Sequence, residues 1–225
     1  MISCGHQPNY IPWMGLFHKI ARCNTLVIAD DVAFSRQGYT ARNWIESPNG
    51  RLLLSVPVRK GSSTLPINEV AIANEQRWKS KHMLAIQASY RRAPYFDLYW
   101  DGLKSIYDKE WEYIVDLNMA IIDYVLECLG VHVDKIMASE LECEGHQTER
   151  ILRICKTIGT KVYVAGQGAR SYLDVEMMEE NGVCVVFDKY SSPSYPQQWG
   201  EFVPNMSAID AIFNLGPEAR LLLDD

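Results

Sequence analysis

Apolar, β-branched runs alternate with helix-forming segments along most of the chain, and this alternation constrains the fold more than any other feature. At the N-terminus a short apolar stretch, 2–5, leads through a loop with two prolines into a helix predicted over 15–23. The buried strand 25–29 follows and ends in Asp30 and Asp31. Strand, loop, helix and strand in this order predict a right-handed βαβ unit.

The same alternation continues to the C-terminal region. Further strands are predicted at 52–58, 66–73, 131–138, 161–165 and 183–187, and Ser47-Pro48-Asn49-Gly50 predicts a hairpin turn. Helices are predicted at 76–90, 95–129 with a break near Asp108, 149–158 with Thr148 as N-cap, 171–181 and 207–214.

This order of elements favours an α/β fold with a mostly parallel, Rossmann-like sheet flanked by helices. The chain has no internal repeat and no linker rich in Pro, Gly and Ser. We therefore expect a single domain over 1–225, with 76–130 as a helical insertion that covers the site.

The charge distribution bears on the class of partner. The formal net charge of −6 argues against general nucleic-acid binding, which depends on Lys and Arg at phosphates. Residues 1–92 nevertheless carry 12 Lys or Arg and 5 Asp or Glu, whereas 93–225 carry 10 and 23. Either the second half contains solvated acidic helices, or the first half holds an anionic ligand such as a pyrophosphate.

The hydropathy and the cysteine spacing bear on the location of the chain and on metal binding. No apolar run is long enough to span a membrane, and the first residues lack a basic stretch followed by an apolar core. We therefore expect no membrane span and a cytoplasmic location. The six cysteines are scattered, and none forms Cys-x-x-Cys, so we expect free thiols and no metal site.

Several polar residues follow predicted strands. Ligands bind beyond the carboxyl ends of parallel strands, where His6, Gln7 and Tyr10, then Asp30 and Asp31, then Gly166-Gln167-Gly168 should gather. Imidazole transfers protons near neutral pH, so His6 is a candidate general base. The alternative is a histidine that hydrogen-bonds the backbone of its loop.

The other candidates have similar paired interpretations. Asp30 or Asp31 would orient a base, bind a substrate ammonium or hold Mg²⁺, or else cap a turn and face solvent. Arg42 would bind phosphate or carboxylate, or lie on the surface of a hairpin. The glycine pair at 166 and 168 would let an anion approach backbone N–H groups, or would make a tight turn.

His82 lies on a predicted helix face with Trp78, Ile86 and Tyr90, where it is a third catalytic candidate or a packed core residue. No Gly-x-Ser-x-Gly elbow and no Walker-type loop occurs. Covalent nucleophilic catalysis therefore has little support in the sequence.

The segment Gly5-His6-Gln7-Pro8-Asn9-Tyr10-Ile11-Pro12-Trp13-Met14-Gly15-Leu16-Phe17-His18-Lys19-Ile20 resembles the opening signature of the WbqC-like protein family. Later segments are similar as well: Asp30-Asp31, Phe34-Ser35, Arg42-Asn43, Trp78 to His82, Ala93-Pro94-Tyr95-Phe96, Tyr163 to Tyr172, Tyr195-Pro196-Gln197, Ser207-Ala208-Ile209-Asp210 and Phe213-Asn214. The resemblance implies a link to bacterial surface-polysaccharide (O-antigen) gene sets and transfer of an acyl or aminoacyl group, for instance glycyl, to an amino sugar.

A second resemblance concerns the fold. The N-terminal unit, and the late segment Ala165-Gly166-Gln167-Gly168-Ala169-Arg170, are similar to nucleotidyltransferases with a His-x-Gly-His loop and a Ser-Gly-x-x-x-Arg segment. This chain has Trp13-Met14-Gly15-Leu16 where both histidines should stand. The departure argues against adenylyl transfer but not against a nucleotidyltransferase-like fold.

These observations lead to one main hypothesis. Under it, the protein is an acyl- or aminoacyltransferase that acts on a nucleotide-linked amino sugar. His6 would be the general base, and Asp31 would orient that base or bind the amine. Arg42 and Gly166–Gly168 would bind the pyrophosphate, and Tyr10 and Trp13 would stack on base or sugar. Gln7, Asp30, Asn43 and Gln167 complete the expected substrate site.

The cofactor is not determined: a CoA thioester, a carrier protein or ATP is compatible with the sequence. The alternatives to a transferase are an ATP-dependent ligase or nucleotidyltransferase-like enzyme, and a non-catalytic protein that binds a sugar nucleotide.

Overall fold

The computed structural model describes residues 1–224 and shows an α/β architecture. In chain order the elements are β1 (Ile2–His6), α1 (Met14–Ala21), β2 (Thr25–Ile28), β3 (Arg42–Ser47), β4 (Gly50–Ser55), α2 (Trp78–Tyr90), α3 (Phe96–Asp108), α4 (Ile114–Cys128), β5 (Asp134–Met137), α5 (Gln147–Ile158), β6 (Val162–Ala165), α6 (Val175–Glu180), β7 (Cys184–Phe187) and α7 (Ala208–Leu215). Among these residues no helix is both long and apolar enough to cross a membrane.

The central sheet is parallel, with the strand order β5-β2-β1-β6-β7. The chain builds outward from β1 in one direction through β2 and β5, and then in the other direction through β6 and β7. The topological switch therefore lies between β1 and β6, which is where ligands bind in open α/β sheets. The predicted Rossmann-like α/β fold is confirmed.

The central strands are short and apolar because helices cover both faces of a parallel sheet. All four residues of β2 are buried. Helix α1 is buried over seven of its eight residues. The register between β1 and β2 places His6, at the end of β1, beside Ile28 of β2. The first predicted βαβ unit is thus present and lies at the centre of the sheet.

The hairpin β3–β4 forms a separate two-stranded antiparallel ladder. Its predicted turn is confirmed: the Ser47 hydroxyl donates to the Gly50 carbonyl at 2.8 Å, and Gly50 has a φ of +90°. Such a left-handed conformation favours glycine. The hairpin packs against α2 and brings one strand end to the side of the sheet.

Helices α2, α3, α4 and α7 pack on one another, and their apolar residues belong to the same large cluster as those of β1 and α1. The predicted break near Asp108 is confirmed, because α3 ends there and α4 begins at Ile114. The chain reverses between them.

Three local predictions were wrong. Residues 66–73 form a 3₁₀ turn (Ile67–Glu69) with isolated bridges rather than a strand, because Ile67, Val70 and Ile72 are apolar for burial in the core and not for a two-residue period. Helix α6 begins only at Val175, since the Asp174 carboxylate caps it by accepting from the Met177 amide.

The third correction concerns the start of α5. His146 occupies the N-cap position rather than Thr148. The Thr148 hydroxyl instead donates to the Tyr172 carbonyl at 3.1 Å and accepts from the Asp174 amide at 2.9 Å. Thr148 thus ties α5 to the segment that precedes α6.

Candidate active site

A cavity of about 1230 Å³ opens at the carboxyl edge of the sheet. Residues at the ends of four strands line it: Gly5, His6 and Gln7 after β1, Ala29 after β2, Ala138 after β5, and Gly166 and Gly168 after β6. The cavity therefore spans the switch between β1 and β6. Its remaining walls come from the β3–β4 hairpin, from α5 and from the segment between β7 and α7.

Helices α2, α3 and α4 do not line the cavity. Within residues 1–224 the lining contains nothing from 76–130, so the expectation that this segment covers the site was wrong. The helices of this segment pack on one another, on α7 and on β3 instead, whereas Tyr190, Ser191, Ser192, Pro204 and Asn205 line the cavity.

His6 has a fixed tautomer. Its Nδ1 lies 2.8 Å from the carbonyl oxygen of Gln7. A carbonyl only accepts hydrogen bonds, so Nδ1 carries the hydrogen and Nε2 carries a lone pair. Within the described residues Nε2 makes no hydrogen bond, and the ring lines the cavity. The backbone contact that the sequence offered as the alternative is present, and the general-base role of His6 stays a prediction.

The electrostatic surroundings keep His6 neutral. Burial, with the nearby positive charge of Lys19 as a second cause, lowers the pKa of His6 to about 3. At physiological pH the ring is therefore unprotonated, and a pKa this low makes it a weak base in the protein without ligand.

The two neighbouring carboxylates are placed behind the wall of the cavity. Asp30 is 2% exposed, and its oxygens accept from the Ser139 amide (3.0 Å), the Ser139 hydroxyl (2.6 Å) and the Asn68 side chain (3.3 Å). Asp31 forms an ion pair with Arg150, which does line the cavity. Asp30 therefore fixes β2 to the segment after β5, and Asp31 acts on the cavity through Arg150.

The glycine loop is open to the cavity. Gly166 and Gly168 line it, and a Cβ at either position would meet no atom within 4 Å. Gln167 points away: its side chain donates to the Asp188 carbonyl and accepts from Arg170 at 2.9 Å. Gln167 thus anchors the loop, while the two glycines leave its backbone accessible.

The proline-rich loop contributes Trp13 but not Tyr10. The Trp13 ring lines the cavity and meets Tyr190 edge-on at 5.5 Å. Asn43 also lines it, although its amide group is already used, because it donates to the carbonyls of Tyr10 (3.2 Å) and Ile11 (3.0 Å). Asn43 therefore holds the loop in place, and Ile11 keeps a strained φ of +35°.

Tyr10 and His82 meet in the core rather than in the cavity. Tyr10 is fully buried, and its hydroxyl contacts Nδ1 of His82 at 2.7 Å and the hydroxyl of Tyr107. Burial lowers the pKa of His82 to about 4. Arg42 is likewise outside the lining, where its guanidinium donates to the Gln37 carbonyl at 2.6 Å.

Several lining residues were missed in the sequence, chiefly the cations Lys19, Arg51 and Arg150 and the ring of Tyr163. The lining contains no Asp or Glu side chain from residues 1–224, and it carries six aromatic side chains: Trp13, Tyr39, Trp44, Tyr163, Tyr172 and Tyr190. Such a wall suits an anionic ligand with a ring that stacks. No group of three or more His, Cys, Asp or Glu side chains in this part of the chain is placed to hold a metal ion.

The fold and this cavity define a class: an α/β protein with a cationic and aromatic cavity at the switch point of a parallel sheet. The chain belongs to the WbqC-like protein family, whose family model matches residues 7–221. It is 32% identical over 216 residues to Rv1507c of Mycobacterium tuberculosis, an uncharacterized protein, and the match covers 95% of this chain and 93% of that protein. No solved structure matches, so the nucleotidyltransferase-like part of the fold assignment stays a prediction.

Proposed function

We propose that this protein transfers an acyl or aminoacyl group to the amine of a nucleotide-linked amino sugar, with His6 as the general base. The observation that carries the proposal is the fixed Nε2 lone pair of His6 at the floor of the cavity. A base of known tautomer, held at the switch point of the sheet, suits proton removal from a bound nucleophile. The family's link to surface-polysaccharide gene sets supports an amino sugar as the acceptor.

The chemical step balances as follows. The amine nitrogen attacks the carbonyl carbon of an activated donor, a thioester or an acyl phosphate, and a C–N bond forms. The bond between that carbon and the leaving group breaks with its electron pair. The proton lost by the nitrogen passes to Nε2 of His6 and then to the leaving group. Correct placement of both substrates supplies much of the rate.

The walls of the cavity offer binding partners for the other groups of the acceptor. The accessible backbone at Gly166 and Gly168, together with Arg150, suits the diphosphate. The rings of Trp13 and Tyr190 are placed to stack on a base or sugar. Asp31 holds Arg150 in position through their ion pair.

The test is a transfer assay with the full chain. UDP- and dTDP-linked amino sugars are incubated with acetyl-CoA, an acyl carrier protein thioester, aminoacyl-tRNA, or ATP and an amino acid, and the sugar product is read by mass spectrometry. We expect one of the three preactivated donors to give an acylated sugar, and the mixture of ATP and an amino acid tests the ligase alternative. His6→Gln should lower kcat by about 10²–10⁴-fold, and His132→Gln, at an exposed position outside the cavity, should leave it unchanged.

Three results would contradict the proposal. Binding of nucleotide sugars without turnover under any donor would assign a non-catalytic binding protein. Full activity in His6→Gln would remove His6 from the mechanism. Transfer that requires ATP and releases pyrophosphate would favour the ligase alternative.

A further inference from the structure

We infer that the buried ammonium of Lys19 anchors an oxyanion of the ligand, a phosphoryl or carboxylate group, in the cavity beside His6. The inference deepens the proposed function and rests on it for the identity of the site. It concerns equilibrium binding, however, and needs no transfer reaction.

Lys19 is buried in an unusual way for a lysine. Its residue is only 4% exposed, yet it lines the cavity. Within residues 1–224 its Nζ has one hydrogen-bond acceptor, the Gly5 carbonyl at 2.9 Å. An ammonium group carries three donors, and a buried charge without partners is costly. A ligand oxyanion would satisfy the remaining donors.

The nearest carboxylate is already engaged. Burial lowers the pKa of Lys19, whereas the neighbouring Cys4, Cys23 and Asp188 act in the opposite direction. The Oδ1 atom of Asp188 lies 2.9 Å from Arg22 and 2.8 Å from Nδ1 of His18. Lys19 forms no ion pair in the part of the chain that the structure describes. Its charge therefore remains available to a group that enters from the cavity.

Of the other lining cations, Arg150 is more fully occupied, and Arg51 is exposed, so water satisfies its remaining donors. Arg150 is paired with Asp31 and also donates to the Cys143 carbonyl at 2.9 Å. Arg51 donates to the Pro204 carbonyl at 3.1 Å. Because no Asp or Glu from residues 1–224 lines the wall, the field in the cavity is positive although the chain's net charge is −6. The anion should therefore seat at Lys19, next to the strand end.

Anion binding there would also act on His6. The Lys19 charge is the second cause, after burial, of the low pKa of His6. An oxyanion on the ammonium offsets that charge, so the pKa of His6 rises toward the range in which an imidazole is an effective base. Binding of the charged part of the substrate would thus prepare the base.

The first experiment compares wild type, Lys19→Met and Lys60→Met. Lys60 is exposed and outside the cavity, which makes it a matched control. Pyrophosphate, acetate and uridine are titrated separately at constant ionic strength, and the fluorescence of Trp13 and Trp44, which line the cavity, reports binding. We expect Lys19→Met to bind one of the two anions at least about tenfold more weakly and uridine unchanged.

The results of these titrations distinguish a phosphoryl ligand from a carboxylate ligand, and they test the inference separately from the proposed function. Loss confined to pyrophosphate identifies a phosphoryl group, and loss confined to acetate identifies a carboxylate. Anion affinity within twofold of wild type in Lys19→Met, or no anion binding to wild type, would overturn the inference. Failure of the transfer assay with Lys19-dependent anion binding intact would count against the proposed function alone.

A second measurement uses wild-type protein, in case Lys19→Met does not fold. Reductive methylation with formaldehyde and borohydride is mapped by mass spectrometry with and without saturating pyrophosphate or acetate. We expect the ligand to protect Lys19 and not Lys60. Equal labelling of Lys19 with and without either anion, or no labelling of Lys19 in the free protein, would refute its assignment as a cavity-facing anchor.

Discussion

At the scale of single residues, Gly166 separates ligand contact from folding most cleanly. Its φ of −71° is accessible to any residue, and an added Cβ would meet no atom within 4 Å. Gly166→Ala should therefore change the free energy of unfolding by less than about 0.5 kcal/mol. The methyl group would nevertheless occupy the space through which a phosphate approaches the backbone.

We expect Gly166→Ala to weaken nucleotide-sugar binding about tenfold, measured by isothermal titration calorimetry. The unfolding midpoint of the same variant is the control and should match wild type. Unchanged affinity at an unchanged midpoint would show that the ligand does not approach this loop.

Sequence patterns identified which residues stand at strand ends, but they did not show in which direction those side chains point. His6 and the glycine pair were predicted because each stands at the end of a strand that its local pattern identifies. Tyr10 and His82 were misplaced, since nothing in the sequence shows that their polar atoms bond each other and Tyr107 in the core. Helix α1 has no polar face, and this pattern predicts that Lys19, which has apolar neighbours, is buried.

At the scale of elements, two buried carboxylates hold the segment that covers the cavity. Asp210 of α7 accepts from Tyr90 (2.8 Å), Tyr195 (2.7 Å) and Gln197 (2.9 Å). Glu46 of β3 accepts from the backbone amides of residues 198 and 199, each at 3.2 Å. We call this arrangement the carboxylate clasp. It fixes the chain between Tyr190 and Asn205, whose ends line the cavity.

The clasp predicts a specific pH dependence of stability. Burial, and then the charge of Asp210, raises the pKa of Glu46 to about 7 from an ordinary 4.5. Between these values the folded protein holds a proton that the unfolded chain releases. The contribution of Glu46 is therefore fully present below pH 4.5 and is lost as the pH rises to about 7.

We expect Glu46→Gln to remove that loss, so that its unfolding free energy relative to wild type improves by about 1–2 kcal/mol from pH 4.5 to 7.5. Urea unfolding at several pH values measures it. His6 and His82, whose pKa values are lowered, have the opposite sign and affect both proteins equally. Glu75→Gln, at an exposed position, should follow wild type. A difference independent of pH would show that Glu46 does not titrate in this range.

Element prediction succeeded where local signals and burial agreed. The turn at 47–50 and the break after Asp108 were correct because glycine conformation and helix termination are local properties. The strand at 66–73 was wrong because its apolar spacing comes from contact with the helical layer, which lies far away in sequence. Thr148 was assigned as a cap although a long-range partner, Tyr172, takes its hydroxyl.

At the scale of the whole molecule, strand order determines where the chemistry can lie. The sequence predicted a parallel sheet but not which strands are neighbours, because order depends on crossovers and not on local patterns. Only the order β5-β2-β1-β6-β7 places β1 and β6 at the switch. That arrangement brings His6 and Gly166 to one cavity although they are far apart in the chain.

The size and lining of the cavity predict the order of events in catalysis. At about 1230 Å³ it exceeds the range of about 300–1,000 Å³ typical of a site for one small ligand. Its lining in residues 1–224 includes no cysteine, and none of its serines is hydrogen-bonded to a histidine. The lining of the described residues therefore offers neither a thiol nor a histidine-activated serine for an acyl-enzyme, whereas donor and acceptor have room to bind together.

We accordingly expect direct transfer within a ternary complex. Initial rates measured with both substrates varied should give intersecting double-reciprocal lines, and the intact mass of the protein should not change when the donor is present alone. Parallel lines, together with an added acyl mass, would indicate ping-pong transfer. An added mass on Lys19 would instead be a dead-end adduct, because the amide it forms is too stable to pass its acyl group to an amine, and the acylated nitrogen no longer holds the charge that attracts an oxyanion.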